Sequence, residues 1–173
     1  MEKFAIVTRF DDQSKQIGDK IKQVLQSHQY EYNQENPDTV FVVGGDGTYI
    51  KAIHDYMERI PDVKFLGLHT GTLGFFTDYH DNEVDELLKM YLSEKYEISE
   101  YPLLVTEVNG NIYHAVNEIR VENIARTQIL DVHLSDEYLE TFRGTGMCVC
   151  TQLGSTAYNR SLGGAVIQEG LDL

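Results

Sequence analysis

Five short segments of this chain hold residues that could do chemistry. The first is Gly44-Gly45-Asp46-Gly47-Thr48, which lies between an apolar strand-like run and a helix-like run. Glycines at such a junction let the backbone approach a ligand closely. The free N–H groups at the start of a following helix favour phosphate. The loop is not of the Walker type, because the lysine is missing from the required place. Asp46 is the informative residue: a carboxylate among phosphate-binding amides is electrostatically awkward unless it serves a hydroxyl or a metal. As a general base it would take a proton from an attacking alcohol during phosphoryl transfer. The competing reading is an ordinary turn in which Asp46 caps the helix.

The second segment, His69-Thr70-Gly71-Thr72-Leu73-Gly74-Phe75-Phe76, follows the next strand-like run. Ligands of open parallel sheets bind beyond the carboxyl ends of the strands, so two glycine-bearing loops at successive strand ends suit one site. Phe75 and Phe76 either stack on a base or belong to the core. Asn117-Glu118 is expected inside the apolar strand Ala115–Ile119, where adjacent side chains point to opposite faces. Asn can pair with an adenine edge and Glu can accept from ribose hydroxyls; the alternative is an exposed strand residue beside a turn contact. The last two segments are Arg143-Gly144-Thr145-Gly146 and Gly154-Ser155-Thr156-Ala157-Tyr158-Asn159-Arg160-Ser161. The latter reads as a loop leading into a helix, with Ser155 or Thr156 as a natural N-cap. With Arg143 and Arg160 it forms the most basic, donor-rich stretch of the chain.

These segments need elements to position them. Phe4–Arg9 reads as a short apolar strand. Asp12–His28 places Ile17, Ile21, Val24 and Leu25 at helical spacing. The spacing predicts a strand over Thr39–Val43, a helix over Tyr49–Arg59, a strand over Val63–Leu68 and a helix over Asn82–Leu92. Alternation of this kind implies a parallel sheet flanked by helices. From about Ser99 the pattern becomes strand after strand: Ser99–Val108, Ile112–Val121, Thr127–Leu134, Tyr138–Phe142 and Met147–Thr151. Asn109-Gly110 is a two-residue hairpin signal. The expected fold is α/β plus all-β, with a doubly wound parallel-sheet domain over 1–98 and a β-rich, here incomplete, domain over 99–173.

Composition narrows the function classes. The chain has 173 residues, with 28 acidic and 14 basic side chains and a net charge of −14. Such a surface repels nucleic acid at long range. Phosphate must then be held by backbone amides, a metal ion or a local basic cluster. No apolar run approaches the roughly 18 residues of a membrane span, and Met1–Val7 turns polar too soon for a signal peptide. No membrane association and a cytoplasmic location are therefore expected. Cys148 and Cys150 are the only cysteines; two apart on a strand, they are expected to be buried, reduced and unbonded to each other.

Together the quoted segments resemble the bacterial NAD kinase family along essentially the whole chain. The first motif is shared with diacylglycerol kinases and phosphofructokinases; the Asn-Glu pair and the Thr-Ala-Tyr loop, in this order, are far more specific. The resemblance implies phosphorylation of the 2′-hydroxyl of the adenosine ribose of NAD, from ATP or polyphosphate, with a divalent metal such as Mg²⁺. It implies that Asp46 activates that hydroxyl and that Gly45 and Gly47 sit against substrate. It assigns Asn117 and Glu118 to the adenosine half, and Phe75 to the neighbourhood of the adenine. Thr156, Ala157, Tyr158 and Ser161 would line the NAD pocket together with Asn159 and Arg160. Lys51, Arg143 and Thr145 fall where the family uses contact residues. It also implies a homodimer or homotetramer. Two departures stand out. Thr145 replaces the family's usual acidic residue, and Thr151-Gln152-Leu153 replaces a segment that usually begins Thr-Pro. Family chains also continue well past residue 173. Two other readings remain at this stage: a non-catalytic nucleotide-binding fragment and a lipid kinase of the diacylglycerol kinase type.

Overall fold

A computed structural model describes residues 1–71, 74–168 and 171. The chain divides into two compact units, Met1–Ile98 and Ser99–Leu173.

In the first unit the elements run β1 (Lys3–Thr8), α1 (Asp12–Ser27), β2 (Glu31–Tyr32), β3 (Thr39–Val43), α2 (Asp46–Asp55), β4 (Lys64–His69), β5 (Tyr79–His80) and α3 (Val84–Leu92). The strands form one parallel sheet in the order β2-β1-β3-β4-β5. All five residues of β3 are buried, as a strand covered on both faces requires. Alternation along the strands builds two cores. Phe4, Phe41, Val43 and Leu68 face Ile21 and Leu25 of α1 and Val84, Leu87, Leu88 and Tyr91 of α3. Ala5, Val40 and Val42 pack on the other face with Ala52, Tyr56 and Val63. The sheet is thus doubly wound, as expected. Registers Thr8↔Val43 and Val43↔Leu68 bring the carboxyl ends of β1, β3 and β4 into line. The strand order reverses between β1 and β3, which puts the crevice typical of this topology at those ends.

Two helices differ from their sequence-based bounds by more than one residue. α2 starts at Asp46, three residues early, and ends at Asp55, with Met57–Arg59 as a separate 3₁₀ turn. Asp81–Glu83 is likewise a 3₁₀ turn ahead of α3. The two-residue strands β2 and β5 lie at the sheet edges and are too short to carry a periodic signal.

The second unit is antiparallel: β6 (Leu104–Val108), β7 (Asn111–Ala115), β8 (Glu118–Glu122), β9 (Gln128–Leu134), β10 (Glu137–Gly144) and β11 (Gly146–Cys150). They form three two-stranded sheets, β6-β7, β8-β11 and β9-β10. Asn109 and Gly110 turn the first hairpin with φ of 52° and 80°, the primed-turn geometry that this dipeptide favours. The strand expected over Ile112–Val121 is two strands. It breaks at Val116-Asn117, and its halves join different sheets. After β11 come a 3₁₀ turn over Leu153–Thr156 and a one-turn helix α4 (Tyr158–Ser161).

Candidate active site

In the first unit the candidate groups gather at the carboxyl edge of the sheet. Gly44 N donates to Leu68 O at 2.9 Å and Thr70 N to Gly44 O at 3.3 Å, so the two loops continue the strand pairing beyond β3 and β4. Asp46 is the first residue of α2. The N-cap is Gly45, which has no side chain to offer, and Asp46 does not cap the helix. Its carboxylate turns across to the second loop instead. Oδ1 accepts from Phe75 N at 2.9 Å and Phe76 N at 3.1 Å, and Oδ2 lies 3.0 Å from Phe75 N. This approach requires Gly74, since a Cβ there would fall 2.1 Å from Asp46 Oδ1. The cap reading is thereby replaced by a tie between the two loops.

The paired phenylalanines take different parts. Phe76 stacks on Tyr49 of α2, with ring centroids 5.3 Å apart and planes 21° apart. Phe75 is 72% exposed, which leaves its ring open to a planar ligand. Thr72 and Leu73 of the same motif lie outside the described residues. Lys51 pairs with Asp55 one turn down α2, an exposed contact.

Sequence reasoning passed over Arg9, Asp11 and Ser14 at this edge and gave His69 no role of its own. Arg9 extends β1 by donating its N–H to Val43 O at 2.8 Å, and its guanidinium lies 3.4 Å from Asp11. Asp11 caps α1, accepting from Ser14 N at 2.8 Å, and that N–H holds the Asp11 carboxyl below the usual carboxylate range. Ser14 Oγ in turn meets Thr70 Oγ1 at 2.8 Å. His69 is buried, and among the described residues neither ring nitrogen has a hydrogen-bond partner. Its ring meets His80 edge-on at 4.0 Å. Only the position of Arg9 just after an apolar strand could have signalled it.

The second unit brings Asn117-Glu118 together with the Gly154–Ser161 segment. Thr151 N donates to Asn117 O at 2.8 Å, and Thr151 Oγ1 donates to Val116 O at 2.6 Å. Gly154 N donates back to Thr151 Oγ1 at 2.9 Å. Gly154 lies flat on Asn117, whose carbonyl oxygen a Cβ would meet at 1.9 Å. The break at Val116-Asn117 overturns the expected in-strand alternation. Instead, Asn117 Oδ1 and Glu118 Oε2 are both buried, and neither has a partner among the described residues. Buried polar atoms cost free energy unless something satisfies them; two adjacent acceptors suit a ligand rich in donors.

The loop itself also corrects an expectation. Neither Ser155 nor Thr156 caps a helix; α4 is preceded by Ala157 and is one turn long. Ser155 is fully buried, and its Oγ accepts from Ile167 N at 3.0 Å. Thr156 Oγ1 donates to Leu153 O at 3.3 Å. Asn159 Nδ2 braces the turn, donating to Ser155 O at 3.1 Å and Ala165 O at 2.8 Å. Tyr158, Arg160 and Ser161 are exposed. Arg143 is an exposed residue of β10, and Thr145 links β10 to β11, its carbonyl accepting from Asn123 N at 3.0 Å. The two cysteines are free and half-buried rather than buried; partial burial pushes both thiols up.

Among the described residues no three His, Cys, Asp or Glu side chains converge to hold a metal. A hard cation such as Mg²⁺ fits such a site when phosphate oxygens and water supply most of its ligands. No described helix is long and apolar enough to cross a membrane.

Comparison with known proteins decides the family. Residues 8–96 match the ATP-NAD kinase N-terminal domain. The chain belongs to the NAD kinase family. It is 39% identical over 175 residues to an NAD kinase of Geobacillus stearothermophilus, covering 98% of this chain and 65% of that protein. It is 45% identical over 156 residues to an NAD kinase of Lactobacillus helveticus, covering 87% of this chain and 58% of that protein. The chain thus spans about two thirds of the length of the first of these relatives and less of the second. An NAD kinase from Archaeoglobus fulgidus, solved in complex with ATP, superposes with a TM-score of 0.77 at 25% identity, covering 98% of this chain and 68% of that one. A yeast NADH kinase complexed with NADH shares the fold, with a TM-score of 0.76 at 18% identity over 97% of this chain and 62% of that one. This family's architecture, a parallel α/β sheet with antiparallel sheets after it, is the one described above.

Proposed function

We propose that this chain carries the substrate-binding and catalytic groups of an NAD kinase, transferring the terminal phosphoryl group of ATP or polyphosphate to the 2′-hydroxyl of the adenosine ribose of NAD to give NADP. The observation that carries the reading is the pair of buried, partnerless oxygens on Asn117 and Glu118, in a chain of this family. Adenosine offers the donors they need: an exocyclic amine for Asn117 Oδ1 and ribose hydroxyls for the Glu118 carboxylate. Phe75 offers an exposed ring for the adenine, and Thr156, Ala157, Tyr158 and Ser161 wall the NAD pocket. Asn159 braces that wall from behind. Arg160 joins them, Arg143, Thr145 and Lys51 are further contact residues, and Lys51 must first leave Asp55.

Asp46 acts as general base. Its carboxylate takes the proton as the ribose oxygen bonds to phosphorus and the bond to the leaving group breaks. The Phe75 and Phe76 amides aim it, and Gly45 and Gly47 leave room for substrate beside it. Mg²⁺, when bound with the nucleotide, neutralises charge on the phosphates. The protein works in the cytoplasm as a homodimer or homotetramer.

The test is a coupled assay for NADP formation from NAD with ATP and with polyphosphate. It is run on the 173-residue chain and on a version extended to the relatives' length. NADP formation by the extended chain is the expected result. NAD binding without turnover would make the protein a non-catalytic nucleotide binder. Turnover of a diacylglycerol, but not of NAD, would move it to the lipid kinases.

A further inference from the structure

Arg120 stands two residues after Glu118 on β8, so the two side chains share one face of the β8-β11 ribbon. Its guanidinium carbon lies 4.4 Å from the centre of the Tyr158 ring, within the range of a cation–π contact. Glu122, next along the same face, lies 3.8 Å from Arg120 Nη1. The Tyr158 hydroxyl and the Glu122 carboxylate together hold the guanidinium even more firmly in its charged form than usual. Arg120 thus joins the strand carrying Glu118 to the segment carrying Tyr158, which meet otherwise through Thr151 and Gly154.

The position of the stack matters. The Arg120 side chain is 42% exposed and Tyr158 38% exposed, so the pair lies at the surface of its unit. Cation–π attraction strengthens when the pair is desolvated. A ligand that covers Tyr158 strips water from the stack and tightens it, while a ring already held by the guanidinium has less orientational freedom to lose on binding.

We propose that Arg120 is a positioning residue of the nucleotide pocket, holding the Tyr158 ring, and through it the Thr156–Ser161 segment, in the orientation that receives NAD. The proposal rests on Tyr158 being a wall of that pocket. Arg120 touches neither reacting atom, so its loss acts on binding and spares the chemical step.

Two measurements on the full chain test this. The first needs no ligand: NMR of the protein should show the Arg120 side-chain protons shifted upfield by the Tyr158 ring, with the shift abolished in Tyr158→Leu. The second is kinetic. Arg120→Ala and Arg120→Met should raise KM for NAD by about 3- to 30-fold, the span that cation–π strengths allow, with kcat little changed. Arg120→Lys, which keeps the cation without the planar stack, should recover part of the loss. In a Tyr158→Leu background, Arg120→Ala should cost nothing more. A wild-type protein without the upfield shift overturns the proposal. So does an unchanged KM in Arg120→Ala, or an Arg120→Ala penalty that survives in Tyr158→Leu. If the wild type forms no NADP while the upfield shift is present, the kinase reading itself has failed and this proposal falls with it. An active wild type with an indifferent Arg120→Ala removes Arg120 alone.

Discussion

At the scale of single residues, the carboxylate of Asp46 does two things that substitutions can separate. It ties the Gly74–Phe76 loop through two backbone N–H groups, and in the proposed reaction it accepts the ribose proton. Asp46→Asn keeps one carbonyl oxygen for the tie and loses the base. It should retain NAD affinity while kcat falls by roughly 10²- to 10⁴-fold; a loss confined to KM would make Asp46 a binding group only. Asp46→Ala loses both functions, so hydrogen exchange at the Phe75 and Phe76 amides should quicken in Ala and much less in Asn. Gly74→Ala approaches the same point from the other side. A Cβ at 2.1 Å from Asp46 Oδ1 must displace the carboxylate, so turnover should fall although no ionisable group has changed. Steady-state kinetics that match wild type would show that the loops can part without harm to the site.

At the scale of elements, α1 begins at the same sheet edge and its cap is titratable. The Ser14 N–H lowers the Asp11 pKa in the folded protein. A lowered folded-state pKa means that the ionised form is favoured by folding. The contribution is complete above the ordinary aspartate value of about 3.9 and is lost as pH falls through the lower folded value. Asp11→Asn keeps a capping oxygen but cannot titrate. Denaturant melts from pH 5 down to pH 2 should therefore show a shallower acid-side loss for Asp11→Asn than for wild type. Parallel curves would mean that Asp11 does not sense folding.

At the scale of the whole molecule, the two units differ in what holds them. The first buries two cores on the two faces of a five-stranded sheet. In the second, Val116 is the one buried apolar side chain among the described residues, and its sheets have two strands each. Val105, Ile112, Ile129, Leu134 and Leu139 are all more than half exposed. A two-stranded ribbon without a buried face is marginal in water. Native-state hydrogen exchange should therefore find the slowest amides in β1, β3 and β4, with β6-β7 and β9-β10 opening at lower free energy. Equal protection across both units would contradict this ranking.

The sequence by itself determined the order of the elements, the change from α/β to antiparallel structure, the Asn109-Gly110 turn and the family. Each is written in short-range signals: period-2 and period-3.6 patterning, turn chemistry, and motifs a few residues long. The edge strands β2 and β5 escaped because two residues have no period. The tertiary structure alone decided where the functional groups point. Asp46 looked free to cap its own helix, yet its partners are amides 29 and 30 residues away. Asn117 and Glu118 looked like opposite faces of one strand. The chain breaks there because β7 and β8 join different sheets, and the break buries an oxygen of each side chain. Nothing in the local sequence around Arg120 pointed to Tyr158, over whose ring its guanidinium lies. Such contacts arise from packing between segments distant in sequence, and local periodicity holds no record of which segments those will be.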